Sequence, residues 1–236
     1  MRPLLENWRN FLSETPKKET VIFMAGGPAS GKSTVLQKLG IDLTTINTDD
    51  FYEQYLIDDP ELSLHGKVKV YKKIQKIKKD MGDNPNQPEL EKELSRLKGL
   101  ISKYAKAFST AQKKKREMID SRPKGGFVID GTGGDLANIK KQKEELDAEG
   151  YNVAMIFVDV DMDVALSRNM ARGSGGGRQL LDREVVSSHN SVQKNKPLLA
   201  NLFGNNFIYI NTTDEETFLD TLNQAKEKIY SLDKNS

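Results

Sequence analysis

The sequence predicts an α/β protein built on a parallel five-stranded sheet with helices on both faces. Short apolar runs alternate with longer segments of helical periodicity, as they do when helices connect parallel strands. Two further observations are a glycine-rich turn directly after the first apolar run and a long helical interruption at 62–124. The five predicted strands are 21–25, 43–47, 127–130, 153–158 and 207–210.

Composition limits the class of protein. The chain has 236 residues, enough to bury a core as one domain with an elaboration or as a domain and a half. The absence of cysteine excludes disulfides, thiolate metal sites and cysteine nucleophiles, and it fits a reducing compartment. No stretch approaches a membrane span, and residues 1–20 lack the continuous apolar centre of a signal peptide. We expect a soluble cytoplasmic protein without a membrane partner.

Charge is distributed unevenly along the chain. The net charge is only +2, yet residues 67–124 carry 18 Lys and Arg against 7 Asp and Glu. The remainder carries 18 against 27 and is therefore acidic. Such asymmetry predicts a docking surface for an anionic polymer.

The glycine-rich turn fits the phosphate-binding pattern G-x-x-x-x-G-K-[ST] within VIFMAGGPASGKSTV. Glycines let backbone N–H groups converge on phosphate oxygens, and the helix that follows directs its positive N-terminus at them. Lys32 is predicted to reach the β- and γ-phosphates, and Ser33 to hold Mg²⁺. The alternative is an ordinary turn between a strand and a helix. The predicted nucleotide contacts are Gly26, Gly27, Ala29, Ser30, Gly31, Lys32, Ser33 and Thr34.

The elements on either side of this turn follow from periodicity. Apolar residues at 4, 5, 8, 11 and 12 predict an amphipathic helix within 1–20, which either packs on the domain or docks on a partner protein. A helix at 31–39 ends at Gly40.

Two adjacent carboxylates, Asp49 and Asp50, follow the second strand, where open α/β sheets bind ligands. Asp49 is a candidate general base for a substrate hydroxyl, with Asp50 turned elsewhere or assisting Mg²⁺. The alternative is that Thr48, Asp49 and Asp50 only cap the helix that begins near Phe51.

The interruption at 62–124 predicts an antiparallel helical hairpin, with a breaker at 82–88. Its lysine clusters are either the solvated faces of an insert or a contact surface for a phosphate backbone. One apolar stripe comprises Val70, Tyr71, Ile74, Ile77 and Met81, and the other comprises Leu90, Leu94, Leu97, Ile101, Tyr104 and Phe108.

The third strand ends at Asp130, which is placed to support Mg²⁺, and the loop 131–134 that follows could cover a substrate. P-loop ATPases that split water usually place a glutamate directly after this aspartate, and Gly131 stands there instead. We therefore expect transfer to a hydroxyl rather than hydrolysis.

Arginines flank the glycine run 173–177. Arg168 lies on a helix predicted at 162–171, Arg172 stands at the end of that helix, directly before the run, and Arg178 follows the run. They could close over a triphosphate and neutralise developing charge, or the run is a loop with incidental arginines. Further helices are predicted at 135–149, 180–201 and 215–232, and His189 is interpreted as a surface residue rather than a catalyst.

Over 21–60 and 126–212 the chain resembles the zeta-toxin and polynucleotide-kinase-like group of P-loop kinases. INTDDFY at 46–52 is similar to the stretch that supplies the group's substrate-activating aspartate, which implies that Asp49 is the general base. RNMARGSGGGRQL at 168–180 resembles its lid, which implies that Arg172 and Arg178 are the charge-stabilising pair. The group commonly has a basic residue where Tyr52 stands, and the hairpin lies outside the resemblance.

The resemblance implies an ATP-dependent kinase with Mg²⁺, in which a P-loop domain at 21–61 and 125–236 carries the inserted hairpin at 62–124. The basic hairpin favours a nucleic-acid acceptor, either a 5′-hydroxyl or a hydroxyl on a modified base. Alternatives are a UDP-sugar acceptor, as in zeta toxins, and a nucleotide-gated nucleic-acid-binding module without kinase activity. A third alternative is hydrolysis that drives a partner docked on the N-terminal helix.

Overall fold

The computed structural model of the chain describes residues 19–82 and 87–234. The N-terminal helix predicted within 1–20, and the partner docking proposed for it, lie outside the described residues. Within the described parts of the chain, no helix is long and apolar enough to cross a membrane.

Five strands form one sheet in the order β2-β3-β1-β4-β5. The central strand β1 runs parallel to β3 on one side, with Met24 opposite Asp130, and parallel to β4 on the other, with Ala25 opposite Phe157. The edge strand β5 runs parallel to β4. The strands are β1 Thr20–Ala25, β2 Thr44–Asn47, β3 Phe127–Asp130, β4 Asn152–Asp159 and β5 Phe207–Asn211. The predicted fold class is confirmed.

Eight α-helices are described, and their order follows the predicted alternation. The glycine run is predicted to begin after a helix, but the helix continues through Gly173 to Ser174. The helices are α1 Lys32–Leu39, α2 Thr48–Asp58, α3 Gly66–Met81, α4 Pro88–Asp120, α5 Leu136–Ala148, α6 Met162–Ser174, α7 Asp182–Phe203 and α8 Glu215–Lys234.

Both faces of the sheet are covered, because successive side chains of a strand point to opposite faces and β1 is buried at all six positions. On one face Ile22 and Met24 of β1 pack in a cluster with Val35 of α1 and Leu222 of α8. On the other face Phe23 meets the ring of Phe203 of α7 edge-on, with ring centroids 5.6 Å apart. The carboxyl ends of β1 and β3 are thereby fixed beside each other.

Packing divides the chain into two compact units. The sheet unit contains 19–46, Met118–Arg168 and 182–234 of the described residues, and the hairpin unit contains Asn47–Glu117 and Asn169–Leu181. Residues 47–61 and 169–181 therefore pack with the hairpin, although the sequence assigns them to the kinase domain. The predicted division into domains stays a prediction.

In the hairpin unit α3 and α4 pack as an antiparallel pair. Lys73 of α3 binds Glu93 near the start of α4. Further along α4, the hydroxyl of Tyr104 hydrogen-bonds both the backbone N–H and the carbonyl of Ser63, three residues before α3 begins. Contacts therefore move back towards the start of α3 as they advance along α4. The apolar stripes meet, with Ile74 and Ile77 against Leu97.

The last two residues of the second predicted stripe pack on a different helix from the rest of it. Tyr104 joins a separate cluster with Tyr52 and Leu56 of α2, and the ring of Phe108 meets that of Tyr52 edge-on at 5.4 Å. The far half of α4 therefore supports α2, the helix that carries Asp49.

Candidate functional site: a phosphate-binding loop and an arginine cluster

The loop between β1 and α1 needs its glycines for two different reasons. Gly31 has φ 84° and ψ 21°, in the left-handed region that glycine adopts without strain. At Gly26 a Cβ atom would lie 2.5 Å from the carbonyl oxygen of Val158 and 2.7 Å from Oγ of Ser30. Any side chain at 26 would therefore push the loop off the sheet.

Lys32 folds back over this loop. Its Nζ donates a hydrogen bond to the carbonyl of Gly26 at 3.1 Å and lies 3.8 Å from Oδ1 of Asp130. The register of β1 with β3 sets this approach, because Asp130 lies opposite Met24, two residues before Gly26. The loop therefore holds a positive charge beside the carboxylate predicted to support Mg²⁺.

Hydrogen bonds that the sequence did not predict support the loop from Thr212, which directly follows β5. The hydroxyl of Thr212 donates to the carbonyl of Ser30 at 2.7 Å, and Arg168 donates in turn to that hydroxyl at 3.1 Å. Arg168, predicted among the arginines around the glycine run, thus binds the buried Thr212 of the sheet unit. Oγ of Ser30 is itself buried without a hydrogen-bond partner among the described residues.

The residues at the start of α1 suit a magnesium ion. Ser33 and Thr34 are exposed and offer hydroxyl groups, and the carboxylate of Asp130 lies 3.8 Å from Nζ of the preceding residue, Lys32. Among the described residues no group of three or more His, Cys, Asp or Glu side chains forms a metal site. Mg²⁺ usually binds one or two carboxylates together with substrate phosphates, so this donor set fits it.

The loop after β3 packs against α7. Asn195 donates from Nδ2 to the carbonyls of Gly133 and Gly134 at 3.1 and 2.8 Å. Beside it lies a cavity of about 590 Å³, lined by Thr132, Gly134, Arg183, Glu184, Ser187, Ser188 and Ser191. His189, predicted at the surface, is half-buried, and its Cα lies 3.7 Å from where a Cβ on Gly27 would be.

In the hairpin unit Asp49 lies in the first turn of α2. The cap of this helix is Asn47, whose side-chain oxygen accepts the N–H of Asp49 at 2.9 Å. The prediction that 48–50 cap a helix beginning near Phe51 is therefore wrong, because the helix begins at Thr48. The carboxylate of Asp49 is left for other contacts.

Asp49 contacts Arg178, which lies 129 residues away in the chain. Oδ1 of Asp49 is 2.5 Å from a terminal nitrogen of Arg178, and Nε of Arg178 is 3.4 Å from Oε1 of Glu53. The guanidinium also lies over the ring of Tyr52, 5.3 Å from its centroid, which is the geometry of a cation–π contact. Arg178 is only 8% exposed.

Arg172 also contacts the carboxylate of Glu53. One of its terminal nitrogens is 3.6 Å from Oε1 of Glu53, although its side chain is 51% exposed. We call Asp49, Glu53, Arg172 and Arg178 the arginine cluster. It combines two carboxylates with two guanidinium groups in the hairpin unit.

The glycine run that joins the two arginines is fixed at several points. Asn169 is buried and bonds both the N–H and the carbonyl of Leu180 at 3.0 Å, which closes the loop at its base. His65 bonds the carbonyl of Gly176 through Nε2 at 3.0 Å. A Cβ at Gly177 would lie 2.8 Å from Cγ of Arg172, so glycine at 177 leaves room for that side chain.

Sequence reasoning missed Glu53 and gave Tyr52 no partner. Both lie one turn of helix or less after Asp49, so the signal that could have found them was helical spacing. Glu53 stands four residues after Asp49 and therefore shares its face of α2. Nothing in the sequence indicated which cation would meet that face.

A second charged group lies in the sheet unit at the end of β4. Asp159 accepts hydrogen bonds from Lys196, at 2.7 Å, and from Gln193 and Tyr209. Burial raises the pKa of Asp159, but the bonds from Lys196 and Gln193 outweigh it and hold the pKa below its usual value. This pair ties α7 to the sheet.

No family model matches the chain, and comparison with curated proteins gives no significant match. Among solved structures, the AvrRxo1-ORF1:AvrRxo1-ORF2 complex with sulphate ions is similar at a TM-score of 0.51 and 14% identity. The match covers 88% of this chain and 61% of that one, so this chain spans less than two thirds of its length. At this identity the likeness shows the fold alone.

Two other solved structures match the chain at lower TM-scores. Deoxyadenosine kinase from M. mycoides with bound dATP matches at a TM-score of 0.43 and 16% identity, over 87% of this chain and 97% of that one. The PezAT toxin–antitoxin system of Streptococcus pneumoniae matches at 0.42 and 13%, over 96% of each chain. At these TM-scores and identities, neither match supports an inference about this chain.

Proposed function

We propose that the chain is an ATP-dependent phosphotransferase that moves the γ-phosphate of ATP to a hydroxyl group. The observation that carries the proposal is the arginine cluster, in which the carboxylate predicted as general base lies 2.5 Å from a buried arginine predicted to stabilise the transferring group. An arginine with that role and a carboxylate that accepts the hydroxyl proton are recurring parts of phosphoryl transfer.

The sheet unit supplies the proposed nucleotide site. Backbone N–H groups of Gly31, Lys32 and Ser33, at the N-terminus of α1, bind phosphate oxygens, and the side chain of Lys32 neutralises the β- and γ-phosphates. The buried, unpartnered hydroxyl of Ser30 is a further donor within this loop. Ser33 and Asp130 would hold Mg²⁺, which neutralises charge on the bridging phosphate oxygens when it is bound.

The hairpin unit supplies the proposed transfer groups. Asp49 accepts the proton of the acceptor hydroxyl, and Arg178, with Arg172, stabilises the transferring phosphoryl group. In the ion pair, Oδ1 of Asp49 is occupied by the guanidinium of Arg178 and is not free to accept a proton from a substrate. The reaction therefore requires Arg178 to leave Asp49 for the phosphoryl group, while Glu53 and Tyr52 keep hold of the guanidinium.

For the acceptor we propose a nucleic acid, either a 5′-hydroxyl or a hydroxyl on a modified base. The excess of Lys and Arg over Asp and Glu in 67–124 supports it, since phosphate backbones are bound mainly through such charges.

A second candidate acceptor is a sugar nucleotide. The cavity beside the loop after β3 favours it, because about 590 Å³ is the size of a small-molecule site and hydroxyls of Thr132, Ser187, Ser188 and Ser191 line it. Such donors suit a polyhydroxylated ligand.

The test is transfer of label from γ-labelled ATP, with Mg²⁺ and with EDTA, to 5′-hydroxyl DNA and RNA, hydroxymethylated DNA, nucleosides and UDP-sugars. We expect label on a polymer, only with Mg²⁺. Label on a UDP-sugar would replace the nucleic-acid acceptor with the second candidate. Release as phosphate alone, equal in all reactions, would contradict phosphotransfer and favour a nucleotide-gated binding module.

A further inference from the structure

A row of four lysines runs along one face of α3. Lys69, Lys72, Lys76 and Lys79 follow one another at intervals of three, four and three residues, the spacing that places side chains on one face of a helix. All four are exposed. At 1.5 Å of rise per residue the lysine row is about 15 Å long.

From Lys72 onward the lysine row lies on the side of α3 opposite its packed face, whereas at the start of the helix Val68, four residues before Lys72, is buried. Ile74 and Ile77 are buried against Leu97 of α4, and the row is turned well over a quarter of the helix circumference from them. Among the residues that the structure describes, no carboxylate lies within 4.0 Å of any of the four ammonium groups. The row therefore presents uncompensated positive charge to solvent.

Helix α5 shows how this chain neutralises lysines elsewhere. Lys140, Lys141 and Lys143 each bind an acidic side chain four residues later, at 3.8, 3.7 and 2.6 Å. In α3 the residues four positions after Lys69 and Lys72 are again lysines, and like charges at that spacing destabilise a helix. The row therefore lowers the local stability of α3, so helix stability does not account for these lysines.

We propose that the lysine row docks the phosphate backbone of a single-stranded nucleic acid. The row is one residue wide, so it matches a single line of phosphates better than the two strands of a duplex. It contains no apolar residue, whereas helices that bind membrane surfaces combine lysines with an inserting apolar face. Without an aromatic side chain in the row, the contact is independent of base sequence.

This inference rests on the proposed function in one respect, which is that the docked strand is the phosphate acceptor. The contact itself needs neither ATP nor a free hydroxyl. The two proposals can therefore fail separately.

The experiment measures binding of a fluorescent 20-nucleotide single strand with phosphate at both ends, by anisotropy, at several salt concentrations and without ATP. Each lost phosphate contact should reduce the slope of log affinity against log salt by about 0.7. We expect the variant K69Q/K72Q/K76Q/K79Q to lose close to 3 from the slope and to bind at least tenfold more weakly at about 0.1 M salt.

The matched control compares two double variants of equal charge change. K72Q/K76Q removes two lysines of the row, and K140Q/K141Q removes two lysines of α5 that are paired within their helix. We expect the first to weaken binding several-fold and the second to change it less than twofold. Far-UV circular dichroism checks that both variants keep their helices.

Equal losses in the two double variants would overturn the proposal, since net charge alone would then explain binding. No binding by the wild-type chain at about 0.05 M salt would also overturn it, as would binding of polyglutamate but not of the strand. If γ-phosphate transfer occurs and the quadruple variant binds the strand normally, the lysine row is wrong and the proposed reaction stands. Weakened binding by the row variants in a chain that transfers no phosphate would support the row and contradict the reaction.

Discussion

The phosphate-binding loop and the arginine cluster are built in opposite ways. The loop is formed by eight consecutive residues at 26–33, and its functional groups are mainly backbone N–H groups held by glycine conformations and by Lys32. The arginine cluster brings together side chains from α2 and from 169–181, more than a hundred residues apart, and its contacts run between charged groups. In the loop, Gly26, Ser30 and Lys32 donate hydrogen bonds to backbone carbonyls, whereas in the cluster the charged side chains pair with one another.

Under the proposed function, this difference separates the region that binds nucleotide from the region that must rearrange. Backbone N–H groups at a helix N-terminus bind an anion without any prior movement. Asp49 and Arg178 neutralise each other at 2.5 Å, so neither can act on a substrate until the contact opens. Substitutions in the loop should therefore change nucleotide binding, and substitutions in the cluster should change turnover.

The largest effect is expected at Arg178. Its replacement by alanine should lower kcat of phosphoryl transfer by about 10³-fold, because an arginine that stabilises the transferring group contributes that much or more. Arg172→Ala is the matched control. Arg172 is half-exposed and makes one ion pair at 3.6 Å, so its loss should cost less. Steady-state kinetics with ATP varied would measure both, and a larger loss at Arg172 would reverse the assigned order.

Lys32→Met tests the loop. Removing a preorganised charge from the phosphates should weaken ATP binding and lower transfer by about 10²-fold. Lys38→Met, in the last turn of the same helix, is the control. Isothermal titration with ATP and Mg²⁺ gives the affinities, and unchanged ATP binding by Lys32→Met would exclude the loop as the nucleotide site.

Glu53→Gln tests how the two arginines of the arginine cluster are held in position. Glu53 is a positioning residue that holds both arginines, so losing its charge should lower kcat about tenfold, the equivalent of one hydrogen bond between charged groups. The KM for ATP should stay the same, and Glu53→Asp should restore part of the rate. Asp58→Asn, on the same helix, is the control. A rise in the KM for ATP with constant kcat would argue against the positioning role.

The smallest effect concerns Asp159 and Lys196, a pair whose role we expect to be structural. Because the pKa of Asp159 is held below its usual value, the pair stabilises the fold at neutral pH, and this contribution is lost as the pH falls through that lowered pKa. Asp159→Asn should lower the free energy of unfolding by about 1–3 kcal/mol at pH 7. Urea titrations should show the difference from wild type narrowing in acid, and a constant difference would contradict the assignment.

The sequence predicted the parts of the molecule that depend on neighbours in the chain. The five strands follow from apolar runs, and the loop from a spacing that reports backbone conformation directly. Asn47 as the cap of α2 was missed because Thr48 and Asp49 are equally good caps by type. Tyr104 continues the predicted stripe of α4, whose first half packs on α3, yet Tyr104 itself packs on Tyr52 and Leu56. Such a change of partner along one helix depends on the arrangement of other elements.

The candidate site divides in the same way. Asp49, Arg172 and Arg178 were predicted by resemblance, but nothing local indicated that Glu53 would lie between the two arginines or that Tyr52 would support Arg178. Ion pairs between residues far apart in the chain leave no periodic pattern from which they could be predicted. Arg168, which was grouped with the other arginines, instead binds Thr212 in the sheet unit.

The most direct measurement compares Asp49→Asn with the wild-type chain in two assays on the same preparation, ATP affinity by titration and γ-phosphate transfer by single turnover. If the loop binds ATP and the arginine cluster carries out phosphoryl transfer, the variant keeps its ATP affinity within about twofold. Its transfer rate should then fall by about 10²- to 10⁴-fold, the range for loss of a general base. Transfer at the wild-type rate, or loss of transfer only in proportion to lost ATP binding, would contradict the division of roles between the two regions.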